Sequence, residues 1–209
     1  MRDLVRRQDE HFLEFAYSLT DDEWAAPSLC AGWTNKDVLS HLALGLQARS
    51  TRLLAEMARQ RGSFDTANNV LTRAHAHRHT AAELIEQFDR GRDSPRGVGR
   101  LLPTPLLLGD HTVHHLDIAL ALGRSADLAP EVANAVLHVE TTIPNPFVPA
   151  KARSKNLHLF TTDTGWSAGS TSQPQASGPA EALISVLAGR GHARDQLRGP
   201  GAPMLAARL

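Results

Sequence analysis

The sequence predicts a mainly α-helical protein, a helical bundle followed by a small C-terminal α/β lobe. Three observations carry this reading. Apolar residues recur at helical spacing through most of the first 143 residues. The stretch TTIPNPFVPAKARSKN then breaks the pattern with three prolines. Beyond it, Leu157, Leu159 and Thr161 alternate as in a strand, and a Gly/Ser-rich turn region precedes a short apolar helix. The expected organisation is a bundle over 1–143, a linker over 144–155 and a lobe over 156–209. A chain of 209 residues can bury such a core without covalent staples.

The elements follow in order. Leu4, Val5, Gln8, Phe12, Phe15 and Leu19 lie on one helical stripe, so a helix is expected over Arg2–Leu19. DDEWAAPSLCAGW ends it. Thr34 is placed to cap the next helix, with Asp37 three residues on in a capping-box arrangement, and that helix is expected to run to about Gln60. A third is expected over Thr66–Arg90, and GRDSPRGVG reads as a loop. Thr104 and Pro105 suit the start of a fourth helix, which Gly123 ends as a left-handed terminator. A further helix is expected from Pro130 to about Glu140, and a last one over Pro179–Ala188.

Composition narrows the function. Acidic and basic residues balance at a formal net charge of zero, which favours neither a nucleic acid nor a membrane surface as partner. No run approaches the roughly 18 consecutive apolar residues of a membrane span. One cysteine, Cys30, excludes an intramolecular disulfide, and MRDLVRRQDEHFLEF lacks the apolar run of a secretory signal, so a cytoplasmic location is expected. GxGxxG and P-loop motifs are absent, which argues against nucleotide chemistry, and the Ser/His/Asp combinations stand in no nucleophile-elbow context, which argues against a serine hydrolase.

The chemistry concentrates in GDHTVHHLDIALALG, Gly109–Gly123. Asp110 and His114 lie four apart and share a helix face. His41 interrupts the apolar stripe Val38, Leu42, Gly45 and Leu46 of the second helix. Two imidazoles and a carboxylate with an open position are a common ligand set for catalytic zinc, and bundles present such pairs inward from their helices. Two alternatives stay open on the residues alone. His111 and His115 are also four apart, on the stripe of Leu108, Ile118 and Leu122, and a single inward histidine such as His41 is more often a hydrogen-bonded core residue than a ligand. Asp117 is placed either to orient a ligand histidine or to cap the helix end. His75, His77 and His79 read as a solvated face, because residues two apart on a helix diverge; Cys30 reads as a small buried hydrophobe.

DEWAAPSLCAGWTNKDVLSHLALG, with a proline, a cysteine and GWT leading into the His41 helix, resembles one signature of the mycothiol-dependent maleylpyruvate isomerase-like family, a branch of the DinB-type metal-binding four-helix bundles. An acid, three residues, a histidine and then an aspartate form a second, falling on Asp110, His114 and Asp117. The segment from Thr161 to Arg190 is similar to the small lobe that many members carry. The resemblance implies a DinB-like four-helix bundle, and it implies His41, Asp110 and His114, rather than His111 and His115, as ligands of a divalent metal, most often zinc. Mycothiol is the implied cosubstrate. The implied activity is addition of its thiol to a small electrophilic substrate, of transferase or isomerase type. Asp110 departs from the family pattern, where isomerase-type members carry glutamate. Two other functions compete: a non-catalytic binding or regulatory module on the same fold, which the Asp110 departure favours, and a metal-dependent hydrolase activating water.

Overall fold

A computed structural model describes residues 1–47, 50–93, 96, 100 and 102–209, the side chain of Ser50 excepted. The protein is mostly helical with one small three-stranded sheet. It packs as two compact units, Arg2–Leu107 and Leu108–Leu209 together with Met1. Among the described residues no helix is long and apolar enough to cross a membrane.

The first unit contains α1 (Arg2–Tyr17), α2 (Asp21–Ala25), α3 (Asn35–Gln47), α4 (Ser50–Arg59), α5 (Phe64–Arg78) and α6 (Ala81–Arg92). The helix expected from Thr34 begins as its capping pair dictates. Thr34 N–H and hydroxyl both donate to Asp37 Oδ2 at 2.9 Å, and Asp37 N–H donates back to Thr34 Oγ1 at 3.2 Å. Its expected course to Gln60 is covered by α3 and α4, while Ala48 and Arg49 between them lie outside the described residues. α3 is the centre of the unit. It packs on α5 and α6 through Val38, Leu39, Leu42 and Leu46, all buried, and α1 closes on α6 with Phe12 edge-on to Phe88 at 5.3 Å.

The helix expected over Thr66–Arg90 is two helices. His79 is extended (φ −129°, ψ 147°), and Thr80 starts α6 with a full capping box: Thr80 N–H donates to Glu83 Oε2 at 2.8 Å and Glu83 N–H to Thr80 Oγ1 at 3.2 Å. The side-chain oxygens that satisfy the first turn of α6 stabilise the break, which uninterrupted periodicity concealed. Of the expected loop GRDSPRGVG, Gly91 and Arg92 belong to the last turn of α6; Ser94, Pro95 and residues 97–99 lie outside the described residues.

The helix α7 (Thr104–Ala119) spans the division between the units. It tightens into a 3-10 turn at Leu120–Leu122 and ends at Gly123, whose φ of 69° is the left-handed terminator that the sequence predicts. The second unit continues with α8 (Pro130–Thr142), α9 (Ala150–Ser154), β1 (His158–Thr161), β2 (Ser167–Ala168), β3 (Gln175–Gly178), α10 (Ala180–Leu187) and α11 (Ala202–Ala206). The proline-bearing stretch read as a linker therefore holds a short helix, anchored where Ala150 is buried and Arg153 donates to the carbonyls of Leu187 and Arg208. Strand order is β2-β1-β3, with β1 antiparallel to β2 and parallel to β3 in the register Leu159 to Ala176. Every residue of α10 except Glu181 is buried, because the helix packs against β3, α8, α9 and α11.

A methyl at Gly91 would stand 2.8 Å from Leu46 Cβ, closer than carbon atoms approach. Helix propensity favours Gly91→Ala by about 1 kcal/mol, whereas overpacking costs about 1–3 kcal/mol. The variant is expected to be less stable than wild type in urea denaturation; equal or greater stability would show that α3 and α6 yield freely at this contact.

Candidate metal centre

The face of α7 that carries the chemistry is set by which stripe the core takes. Leu108, His111, His115 and Ile118 are buried, the two histidines at 3% and 0% exposure. Asp110 and His114 lie on the neighbouring face, their side chains 37% and 12% exposed. His111 and His115 thus belong to the packed stripe.

Around His114 the second unit assembles a chain of polar contacts. His114 Nδ1 lies 3.0 Å from Asp117 Oδ2, and as a carboxylate oxygen only accepts, the ring nitrogen donates. In the neutral ring the lone pair then resides on Nε2, which lies 3.7 Å from Asp110 Oδ1. That spacing is too long for a hydrogen bond. Two ligand atoms each about 2.0–2.2 Å from one zinc ion at a tetrahedral angle stand about 3.3 Å apart, so the pair fits shared coordination with a small adjustment. A lone pair beside a carboxylate oxygen is also an arrangement that a cation relieves.

Asp117 is buried at 1% exposure, and Arg190 grips it from the segment after α10, Nε to Oδ1 and Nη2 to Oδ2, both at 2.8 Å. Burial pushes the Asp117 carboxyl up, but the Arg190 fork and the His114 contact outweigh it and hold the group ionised well below the usual carboxylate range. The two-pronged geometry fixes the plane of the carboxylate, and with it the oxygen offered to His114.

His41 belongs to the first unit, on α3. Its Nδ1 lies 3.2 Å from Asn68 Oδ1, so the same reasoning places the lone pair of the neutral ring on Nε2. Trp33 flanks it, ring centroids 5.4 Å apart, and is itself tied by its indole N–H to Asn69 Oδ1 at 3.0 Å. Both candidate ligand histidines therefore have a ring nitrogen bound to a carbonyl-type oxygen, the usual device for orienting an imidazole on a metal. The sequence pointed to Asp117 but missed Asn68 and Arg190. A pair of asparagines, Asn68 and Asn69, within an otherwise helical pattern was the only local sign of the first; nothing local marks the second.

Of the histidines read as a solvated face, His77 is exposed, but His75 and His79 are half-buried, because His75 bonds to Gln87 of α6 and His79 to the His75 carbonyl. His75 Nε2 donates to Gln87 Oε1 at 2.8 Å, and its ring lies tilted against that of His79 with centroids 4.2 Å apart; partial burial lowers its pKa. Cys30, read as a buried hydrophobe, is part-exposed, in a turn where its backbone N–H donates to Ser28 Oγ.

Residues 5–98, which include His41, match a family model described as the mycothiol maleylpyruvate isomerase N-terminal domain. Over that stretch, a little under half of the chain, the protein is similar to the mycothiol maleylpyruvate isomerase family. Among solved structures, the chain is similar to a histidine-to-alanine mutant of the mycothiol-dependent maleylpyruvate isomerase, with a TM-score of 0.59 and 16% identity over 96% of this chain and 92% of that one. At that identity the likeness is one of fold. A second structure, of the mycothiol-dependent maleylpyruvate isomerase, covers the same shares at a TM-score of 0.49 and 14% identity. No curated protein matches the chain.

Elsewhere in the second unit Glu140 on α8 has both carboxyl oxygens buried without a hydrogen-bond partner. Burial pushes its carboxyl well up, against the opposing pull of Arg153 and Arg190. A raised folded-state pKa means that folding takes up a proton here, so stability is lost as pH rises through the unfolded value of about 4.3 toward the folded one. Glu140→Gln removes this dependence. In paired denaturation series the variant is expected to gain on wild type as pH rises from about 4; parallel profiles would contradict a protonated Glu140.

Proposed function

We propose that the protein is a divalent-metal-dependent enzyme that uses mycothiol, with His41, Asp110 and His114 as the metal ligands and zinc as the metal. The observation that carries this reading is the Asp110–His114 pair on α7, with His114 held by Asp117 so that its Nε2 is the ligand atom. The mycothiol-dependent family supports the cosubstrate.

Bound there, a zinc ion would supply Lewis acidity, of the kind that lowers the pKa of bound water from about 15.7 to about 7 and makes a thiolate available at neutral pH. The chain's own residues do the rest. Asp117 and Asn68 orient the two imidazoles, and the negative charge of Asp110 favours retention of a cation. The thiolate sulfur forms a bond to an electrophilic carbon of a small substrate, and the displaced electron pair moves onto the substrate's conjugated carbonyl. Rotation about the former double bond and return of the electron pair expel the sulfur as thiolate and leave a rearranged product, an isomerisation; protonation of the adduct instead leaves an S-conjugate, a transfer.

Asp110 is one methylene shorter than the glutamate of isomerase-type members. Asp110→Glu is accordingly expected to tighten metal binding, measured by competition with a chromophoric chelator; weaker binding would mean that the site is shaped for aspartate.

Untagged protein purified without chelator is expected to hold near-stoichiometric divalent metal, lost in both His41→Ala and His114→Ala, and to turn over electrophilic substrates only when mycothiol is present. Metal-free wild type would favour a binding or regulatory module. Turnover with water and no thiol would favour a hydrolase.

A further inference from the structure

In the second unit Asp117 of α7 and Arg190 of the segment after α10, 73 residues apart in the chain, form a two-pronged ion pair. A salt bridge that served only to fasten two segments together would not need a third partner. Here Asp117 Oδ2 accepts both from Arg190 Nη2 at 2.8 Å and from His114 Nδ1–H at 3.0 Å. Arg190 Nη1 also donates to its own segment, to the Ala188 carbonyl at 3.2 Å, which stops the guanidinium from turning. Position is therefore transmitted in order: the end of α10 sets Arg190, Arg190 sets the plane of the Asp117 carboxylate, and that plane sets which nitrogen of His114 carries the proton.

We propose that Arg190 is a positioning residue for the metal centre: through Asp117 it holds His114 in the Nδ1–H form with Nε2 as the ligand atom, so that the C-terminal lobe tunes metal affinity. The inference rests on the ligand set proposed above. It gives the lobe a chemical role. The lobe has a second fastening that does not touch His114, in which the Glu181 carboxylate accepts from Ser125 Oγ and from the N–H groups of Ala126 and Leu128, each at 3.2 Å. Glu181 serves as the comparison, since losing it loosens the same part of the unit and leaves the Asp117 chain intact.

Lysine carries the charge of arginine but cannot make the two-pronged contact. Outer contacts of this kind are typically worth 10–100-fold in metal affinity. Zinc affinity by chelator competition, and the His114 tautomer by nitrogen-15 NMR on metal-free protein at a pH where the ring carries one proton, are to be measured for wild type, Arg190→Met, Arg190→Lys and Glu181→Gln. Both Arg190 variants are expected to lose about 10–100-fold in affinity and to shift His114 away from the Nδ1–H form, with the lysine variant less affected. Glu181→Gln is expected to lower thermal stability while leaving both readouts at wild-type values. Unchanged affinity and tautomer in Arg190→Lys overturn the proposal, as does an equal loss of affinity in Glu181→Gln, which would reduce Arg190 to a fastening. If Arg190→Met does not fold, the lysine variant decides. If wild type binds no zinc, the ligand set proposed above fails, and the tautomer measurement still decides whether Arg190 orients His114.

Discussion

A carboxylate removed from water has to be compensated by charge and hydrogen bonds, and Asp117 is the place where this protein meets that demand. Its partners come from opposite ends of the second unit, Arg190 after α10 and His114 one turn back on α7. Meeting the demand has three consequences at once. It ties the lobe to α7, it keeps an anion ionised in the interior, and it fixes the orientation of an imidazole. Removing one partner of such a pair typically costs about 3–5 kcal/mol, because the remaining charge stays buried. The geometry of the candidate centre is thus coupled to the packing of the C-terminal part of the chain.

The same helix solves a competition between two overlapping stripes. Four histidine and aspartate positions within two turns, Asp110, His111, His114 and His115, cannot all face one way at 3.6 residues per turn. The core takes the stripe containing Leu108 and Ile118, so His111 and His115 are buried with it. Asp110 and His114 are left on the more accessible face. On α3, His41 follows a similar logic: Val38 and Leu42 are buried, while His41 is only partly covered and held by Asn68.

What the sequence made legible was what is local. The Thr34–Asp37 capping pair, the Gly123 terminator and the Asp110–His114 spacing are all decided within one or two turns of chain. Thr80 and Glu83 carried the same kind of signal as Thr34 and Asp37, and the break at His79 was missed because apolar periodicity ran through it. The helix within 150–154 is masked by the three prolines before it, and its anchoring comes from Leu187 and Arg208, far along the chain. Arg190 was beyond reach for the same reason: a lone arginine after an apolar helix says nothing about a carboxylate 73 residues earlier. The division of the chain at Leu107–Leu108, inside a continuous helix, also has no local mark.

The most direct test of the central claim is X-ray absorption spectroscopy at the zinc edge on protein loaded with one equivalent of zinc, before and after mycothiol is added. Nitrogen and oxygen ligands at about 2.0–2.2 Å with multiple scattering from two imidazoles are expected, and a new sulfur at about 2.3 Å once the thiol is present. Zinc without imidazole scattering would contradict the ligand set. An unchanged nitrogen and oxygen shell in saturating mycothiol would contradict the use of the metal to activate a thiol.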